Sequence, residues 1–325
     1  MRTLVTGGAG YIGSHVVRLL RNRGDFVVVV DDLSTGFADR LGDARLVRLD
    51  LASDTAPALI EAVLREERID AVLHFAARKQ VHESVQRPAW YYAQNVGGLA
   101  NLLLAMETAG VSRLVFSSSA AVYGDVEGDA VAESAPTHPV NPYGRTKLIG
   151  EQLIGDATTG SGLSAVSLRY FNVGGAGWPE LADRAVLNLV PMVFERIDAG
   201  LPPLIFGDDY PTVDGTCVRD YVHVLDLADA HIEALDHLAA GMHGHGVFNV
   251  GTGEGTSVRA MVEEILATAR SPLQAEVRIR RPGDPASVVA SPALIAEKLG
   301  WRAERGLDEI VRSAWDAHLT GSPRE

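Results

Sequence analysis

Thr6-Gly7-Gly8-Ala9-Gly10-Tyr11-Ile12-Gly13 is the stretch from which the fold can be read. It directly follows an apolar strand pattern, Leu4 and Val5, and opens a helical one, His15 to Leu20. A Gly-x-Gly-x-x-Gly spacing is a weak signal alone and a strong one in a strand-to-helix turn. Small residues let the backbone approach a dinucleotide pyrophosphate, and the amides at the helix start carry partial positive charge toward it. Gly7, Gly10, Tyr11, Ile12 and Gly13 are the expected contacts for that group.

Outward from this turn, short apolar strands alternate with amphipathic helices as far as about residue 170. The strands read Arg2 to Val5, Phe26 to Val30, Ala44 to Arg48, Ala71 to Phe75, Arg113 to Phe116 and Ser164 to Leu168, with helices such as Ala56 to Arg65 and Tyr91 to Thr108 between them. Such alternation implies right-handed βαβ units and a parallel sheet covered on both faces. The expected class is α/β, a doubly wound parallel sheet of the Rossmann type, with a smaller C-terminal α/β domain. Beyond Tyr170 the regularity breaks at Gly174, Gly175, Gly177 and Pro179, followed by a helix near Leu187 to Ala199 and the Pro202-Pro203 edge. Residues 1–170 are expected to form the dinucleotide-binding domain and 171–325 the substrate domain. The two interleave, because later segments near 220–250, including Phe248-Asn249-Val250-Gly251, return toward the first sheet.

The 325 residues, 46% hydrophobic, suffice for one large core or two modest ones. A net charge of −13 speaks against a broad nucleic-acid footprint, which needs a basic face. An anionic ligand must then be held by a few arginines, backbone amides and helix ends. Cys217 is the only cysteine and has no intramolecular partner. The chain runs straight into a strand without a signal segment, and no apolar stretch approaches the roughly 20 residues that span a bilayer, so a cytoplasmic protein is expected. His243-Gly-His245 reads as a solvated loop, since no third ligand accompanies it; no metal is expected.

Asp31 stands at the end of the second strand, 18 residues after Gly13, where a carboxylate accepts hydrogen bonds from the adenosine ribose and repels a 2′-phosphate. NAD is favoured over NADP on that ground, with Asp32 as the alternative residue. Asp50-Leu51 and Phe75-Ala76-Ala77 end the third and fourth strands at the carboxyl edge, where open α/β sheets bind ligands.

Asn141-Pro142 is a helix start, a side-chain cap followed by proline at the first helical position. It places Tyr143 in the first turn and Lys147 four residues on, along the same face. A tyrosine base working near pH 7 needs about 3 units of pKa depression, roughly 4 kcal/mol. One cation about 6 Å away at an effective dielectric of 20 supplies only ~2.8 kcal/mol. Lysine alone falls short; an oxidised nicotinamide ring and the helix N-terminus would have to supply the rest. Ser117-Ser118-Ser119 closes the fifth strand, where a hydroxyl can bridge a substrate oxygen and the tyrosine.

These residues resemble the extended short-chain dehydrogenase/reductase family, through the glycine run and Tyr143-x-x-x-Lys147, and within it the UDP-sugar 4-epimerase branch. The similarity covers nearly the whole chain, including Met1 to Ser14, His74-Phe75-Ala76, Glu83-Ser84-Val85, Tyr91 to Val96, Phe116 to Gly124, Leu168 to Asn172 and Ile205 to Val224. It extends to Arg281-x-Gly-Asp284, and its more specific part is Asp209-Tyr210-Pro211-Thr212-x-Asp214-Gly215-Thr216 followed by Val218-Arg219-Asp220-Tyr221. Ala121 departs from the pattern, standing where the family often has threonine, and the segment Trp178 to Leu187 is short.

The resemblance implies that Ser119, Tyr143 and Lys147 are catalytic. It implies that Asp31, Asp50, Leu51, Phe75, Ala76, Lys79, Asn95, Ser117, Tyr143, Lys147 and Tyr170 join the glycine run in lining the NAD site. Ser119, Asn172, Asn188, Leu189, Arg219 and Arg281 would bind a UDP-sugar, Asp284 its ribose, and Val288 would face the 2-position of the sugar. The implied activity is reversible 4-epimerisation of UDP-galactose and UDP-glucose through a 4-keto sugar with tightly held NAD, extending to UDP-N-acetylhexosamines where Val288 leaves room. A homodimer through the helices near Tyr91 to Thr108 and Leu148 to Asp156 is implied as well. Two alternatives stay open: a nucleotide-sugar 4,6-dehydratase, which needs an added acid and base where this chain has Ala120-Ala121, and a non-catalytic NAD-sensing protein.

Overall fold

The computed structural model describes residues 1–321 other than 127, 129 and 282. Six strands follow the alternation read from the sequence: β1 (Arg2–Thr6), β2 (Phe26–Asp31), β3 (Arg45–Arg48), β4 (Ala71–His74), β5 (Arg113–Ser117) and β6 (Ser164–Tyr170). After them come β7 (Asn172–Gly174), β8 (Leu204–Phe206), β9 (Val218–His223), β10 (His245–Val250), β11 (Gly255–Ser257), β12 (Glu276–Arg278) and β13 (Ser287–Val288). The chain divides into two compact units. One comprises Met1–Gly124, Ala135–Tyr170 and Ala228–Phe248, and the other Asp125–Ser134, Phe171–Leu227 and Asn249–Glu325.

The first unit is built on a seven-stranded sheet of order β10-β6-β5-β4-β1-β2-β3. Pairings among β1 to β6 are parallel. Val27 to Val30 are all buried, a continuous apolar run rather than an alternating one, because helices cover both faces of the sheet. Leu4, Val28, Val72 and Leu114 meet Ile60, Leu64 and Leu102 from the helices on one face. Strand order reverses between β1 and β4, so the carboxyl ends of those strands open onto the crevice where doubly wound sheets bind ligands.

Two local expectations are corrected. The helix anticipated from Tyr91 to Thr108 is broken: Pro88–Tyr91 leads into one wide turn of π-helix, Tyr92–Gly97, before the helix Gly98–Ala109. Such a turn re-aims side chains inside an otherwise regular helix. Here it points Asn95 back at the loop after β4, accepting from the Arg78 amide at 2.7 Å and donating to its carbonyl at 3.0 Å. His245, read as part of a solvated loop, instead opens β10, with its Nε2 2.7 Å from Ser167 Oγ of β6, and burial lowers its pKa.

The second unit has its own core, with Val193, Phe194, Ile205, Met261, Ile265 and Ile310 among its buried members. Strand β9 is its axis: β11 pairs antiparallel with it, and β13 and β7 pair parallel. The fully buried Asp220 on β9 gathers the surrounding segments, accepting from the amides of Thr252 at 2.8 Å, Gly253 at 2.9 Å and Ala290 at 3.1 Å. Burial raises its pKa, opposed by those amide hydrogen bonds.

A buried ion pair ties the first unit together where β5, β6 and the helix Pro142–Gly160 meet. Arg169 of β6 donates to the Glu151 carboxylate through Nη2 at 2.6 Å and Nε at 2.9 Å, and to the Tyr123 hydroxyl at 2.9 Å. The Ser118 hydroxyl donates at 2.5 Å to Oε1, the carboxylate oxygen that also accepts from Arg169 Nε. Burial opposes the Arg169 charge, yet Glu151 holds its pKa above the ordinary arginine value. Removing one partner leaves the other charge desolvated, so Glu151→Gln should destabilise the fold by about 3–5 kcal/mol. Urea unfolding should show most of that loss recovered in Glu151→Leu combined with Arg169→Met; equal losses in the single and double variants would place the cost elsewhere.

Candidate active site

The glycine run forms the β1-to-helix turn, and two of its glycines are required by close contacts. Gly7 has φ of +70°, and a Cβ there would lie 2.6 Å from the Ala76 nitrogen and 2.8 Å from the Phe75 carbonyl carbon. A Cβ at Gly13 would lie 2.3 Å from the Gly7 oxygen. Helix Tyr11–Asn22 starts at Gly10, which offers no capping side chain, so the first-turn amides of Tyr11, Ile12 and Gly13 meet the crevice without a competing hydroxyl or carboxylate at that position. The ring of Tyr11 packs edge-on against His15 at 5.5 Å, so its contribution to a ligand is its backbone. This cradle fits a dinucleotide pyrophosphate.

Asp31 and Asp32 are told apart by their partners. The buried Asp31 carboxylate accepts one amide on each oxygen, from Ala9 at 3.0 Å and Leu33 at 2.8 Å, which leaves a lone pair on each oxygen for ribose hydroxyls. Burial raises its pKa, while the two amide bonds pull it down. Asp32 folds back on Ser34, at 2.9 Å to its amide and 2.6 Å to its hydroxyl, and pairs with Arg78; burial opposes its charge, but these partners leave its pKa lowered. Asp50 closes its own turn through the Ala52 amide at 2.9 Å, and Leu51 is buried with its carbonyl bonded to Asn101 at 2.8 Å. Phe75 and Ala76 lie half-buried at the end of β4, Phe75 against the ring of His231 at 4.6 Å; Lys79 is exposed just beyond. Asn95 spends both amide protons on the Arg78 carbonyl and Thr146 Oγ1, each at 3.0 Å, so it chiefly fixes the loop around the crevice.

Tyr143, Lys147, Ser117, Ser119 and Tyr170 belong to one group at the ends of β5 and β6. Asn141 caps the helix that carries the first two, accepting from the Gly144 amide at 2.9 Å with Pro142 in the first turn. Lys147 Nζ donates to the Ser117 carbonyl at 2.7 Å and sits 5.0 Å from the centre of the Phe116 ring. Ser117 donates to the Tyr170 hydroxyl at 3.1 Å. The Ser119 hydroxyl accepts from the Ala121 amide at 3.2 Å and hydrogen-bonds Tyr143. Burial pushes the Tyr143 pKa up, helped by Tyr170 and opposed by the Ser119 bond, so the phenol is protonated at neutral pH. Burial also lowers Lys147 to about 8, with Glu151, one turn along the same helix, resisting the shift. His74 completes the wall: its Nδ1 lies 2.7 Å from Thr6 Oγ1, its ring stacks on Phe116, and burial first, then Lys147, holds it near 3 and therefore neutral.

In the second unit, register places Val288 of β13 directly beside Arg219 of β9, with Thr256 of β11 on the other side. Paired residues share a sheet face, so half-buried Val288 lies on the Arg219 face while Val289 is buried on the opposite one. Arg219 is oriented by the carbonyls of Val218 and Pro285 at 2.8 and 2.9 Å. Asn172 is exposed on β7, in register with Tyr221. Asn188 donates to Asp183 at 2.6 Å just before Leu189 begins its helix. Arg281 lies over the Phe206 ring at 3.9 Å, and Asp284 is exposed three residues later. Arg219 and Val288 are thus brought together, while Asn188 is held by Asp183 and Arg281 rests on Phe206, with the Asp284 amide reaching back to the Arg281 carbonyl at 3.4 Å.

The sequence assigns no role to Arg78, Gln94, Arg169 or Glu151, and His74 and Asp220 stand in it only as parts of the matching stretches; Glu151 carries a local signal in its spacing of four from Lys147 on one helix face.

The chain matches the model of the NAD dependent epimerase/dehydratase family over residues 3–251. It is 46% identical to the UDP-glucose 4-epimerase of Azospirillum brasilense, covering 99% of this chain and 93% of that one. The crystal structure of UDP-glucose 4-epimerase from Brucella ovis in complex with NAD superposes with a TM-score of 0.91 at 41% identity, over 96% of this chain and 97% of that one. The enzyme of the same name from Stenotrophomonas maltophila, with bound NAD and formylated UDP-arabinopyranose, gives 0.92 at 42% identity over 98% of both chains.

The lysine shift has a measurable consequence. Lys147 releases its proton near pH 8 in the folded chain and near 10.5 in the unfolded one, so between these values the unfolded state binds more protons and stability from this group rises with pH. Across that window Lys147→Met should remove a rise on the order of 3 kcal/mol. Urea unfolding of cofactor-free protein at either end of the window checks it; an identical slope in the variant would mean that the ammonium is not strained by burial.

Proposed function

The chain belongs to the NAD dependent epimerase/dehydratase family, and from that premise we infer that it interconverts UDP-glucose and UDP-galactose by inversion at C4 with resident NAD. The observation that carries the chemistry is the Ser119–Tyr143–Lys147 group, buried in the unit that also holds the glycine cradle. Bound NAD would supply the hydride acceptor for oxidation at C4 and the hydride donor for the return to the alcohol. Tyr143 takes the 4-hydroxyl proton and gives it back, with Ser119 within hydrogen-bond reach of the phenol. Its raised pKa in the cofactor-free chain means that the base needs the positive ring beside it. Lys147 keeps two N–H directions beyond the Ser117 carbonyl for ribose hydroxyls.

Asp31, with a lone pair spare on each oxygen, is the residue for the adenosine ribose. In the second unit, Arg219 and Arg281 suit the diphosphate, Asn172, Asn188 and Leu189 the nucleoside and sugar, and Asp284 the uridine ribose. This division makes the first unit the NAD-binding domain and the second the UDP-sugar domain. A dehydratase is disfavoured because the turn after Ser119 is Ala120–Val122 and carries no carboxylate. Among the described residues no helix is long and apolar enough to cross a membrane, and a cytoplasmic homodimer is our reading of the surroundings. The exposed Leu104 on the helix Gly98–Ala109 supports a partner copy there.

Purified protein should convert UDP-galactose without added NAD and retain a C4 deuterium label through many turnovers. Loss of the label to solvent would contradict the single-site hydride transfer. In the same assay Tyr143→Phe should lower kcat by about 10²-fold or more while leaving UDP binding nearly unchanged.

Val288 sets the breadth of substrate. Valine on the Arg219 face leaves space that a tyrosine ring would fill, and forcing an acetamido group into a filled pocket costs about 1–3 kcal/mol. Wild type should therefore also interconvert UDP-N-acetylglucosamine and UDP-N-acetylgalactosamine, and Val288→Tyr should lose that activity while keeping the glucose one. Equal N-acetyl activity in the two proteins would remove Val288 from this role.

A further inference from the structure

Arg78 lies outside the catalytic group, yet it is the most connected side chain on the rim of the cofactor crevice. It follows β4, and its guanidinium reaches Asp32 and the Ser34 hydroxyl in the loop after β2. The same guanidinium donates to Gln94 Oε1 through Nε at 3.0 Å and Nη2 at 2.8 Å, and Gln94 passes the connection on to Asp50, after β3, at 3.3 Å. The base of the side chain is fixed, because Asn95 holds both the amide and the carbonyl of Arg78. Its guanidinium also lies 5.2 Å from the centre of the Trp90 ring, which the Arg87 guanidinium approaches at 3.8 Å.

Strand order gives this bridge its meaning. In the sheet β1 lies between β4 and β2, so a side chain running from the β4 loop to the β2 loop crosses the position of the β1 loop. That loop is the glycine cradle. The far end of the bridge is also fixed, since Asp32 is held by the amide and hydroxyl of Ser34. The side chains of Arg78 and Asp32 keep 17% and 26% of their surface exposed, so the pair is part-buried yet still reached by water and ions. A bridge anchored at both ends, within reach of solvent and spanning a ligand cradle, is suited to setting a rate.

We propose that Arg78 is a cofactor clasp: bridged to Asp32, Ser34 and Gln94 across the β1 loop, it must let go for the dinucleotide to leave, and so governs how tightly NAD is retained. The clasp rests on the reading of NAD as resident cofactor. Arginine is suited to the task because its planar fork reaches several acceptors at once and keeps its charge at every working pH. Lysine in its place would keep the charge and lose the fork.

The test uses NAD-loaded enzyme and follows exchange of bound NAD for heavy-isotope NAD added in excess. Arg78→Ala and Asp32→Asn, which open the clasp from opposite ends, should each speed exchange by about tenfold or more, chiefly through the off-rate. The double variant should exchange no faster than the quicker single one, and Arg78→Lys should fall between wild type and Arg78→Ala. Raising the ionic strength should speed exchange in wild type and leave Arg78→Ala unchanged. Should Arg78→Ala not fold, Asp32→Asn and the salt series decide. Exchange within about twofold of wild type in the folded variants, or additive effects in the double variant, would overturn the clasp. Wild type that neither carries nor takes up NAD would overturn the reading beneath it, a result separate from unchanged exchange in loaded variants.

Discussion

The cofactor crevice depends on the near-contact between the turn after β1 and the end of β4. Gly7 lies so close to the Phe75–Ala76 peptide that no side chain fits between them, and Gly13 closes against the Gly7 carbonyl in the same way. Because these backbones meet, the helix beginning at Tyr11 starts at the mouth of the crevice and its first amides face an incoming anion. The neighbouring carboxylates follow from this placement. Asp31, at the end of the adjacent strand, accepts the Ala9 amide from within the glycine run, so the pyrophosphate cradle and the ribose acceptor are parts of one hydrogen-bonded turn.

Burial works against the catalytic charges in the cofactor-free chain. It pushes Tyr143 toward its protonated form and Lys147 toward its neutral one, and it keeps His74 uncharged beside them. The site is thus set against ionising by itself, and on the proposed function a positively charged ring would be needed to reverse the balance for the tyrosine. Glu151 is the protein's own counterweight. Held by Arg169 and Ser118, it stands one turn from Lys147 and favours its ammonium form. The carboxylate that stabilises the junction of β5, β6 and the catalytic helix therefore also supports the charge of the lysine.

In the second unit the two arginines proposed for the diphosphate are held by carbonyls and an aromatic ring rather than by carboxylates. Arg219 is directed by two carbonyls, and Arg281 rests on an aromatic face. The carboxylate next to Arg219, Asp220, points the other way along β9 and is occupied by the amides of Thr252, Gly253 and Ala290. Alternation along a strand separates these neighbours: one carboxylate anchors the surrounding segments while the next side chain lies on the opposite face.

The sequence by itself determined the features that rest on local spacing. The doubly wound fold followed from strand and helix periodicity, the pyrophosphate turn from the glycine run, and the shared face of Tyr143 and Lys147 from a helix start at Asn141-Pro142. Each is decided within a few residues, where steric and hydrogen-bonding preferences act without help from the rest of the chain. The tertiary structure alone decided the pairings between distant segments. Glu151 with Arg169, Arg78 with Asp32 and Gln94, and Val288 beside Arg219 depend on strand order and register, which no local pattern encodes. The sequence could rank Asp31 before Asp32 as the proposed ribose acceptor only by order along the chain. That ranking became a physical distinction once folding gave Asp32 to Ser34 and Arg78 and left Asp31 with acceptor capacity to spare, because the reach of a side chain has meaning only after the sheet has fixed which loops are neighbours.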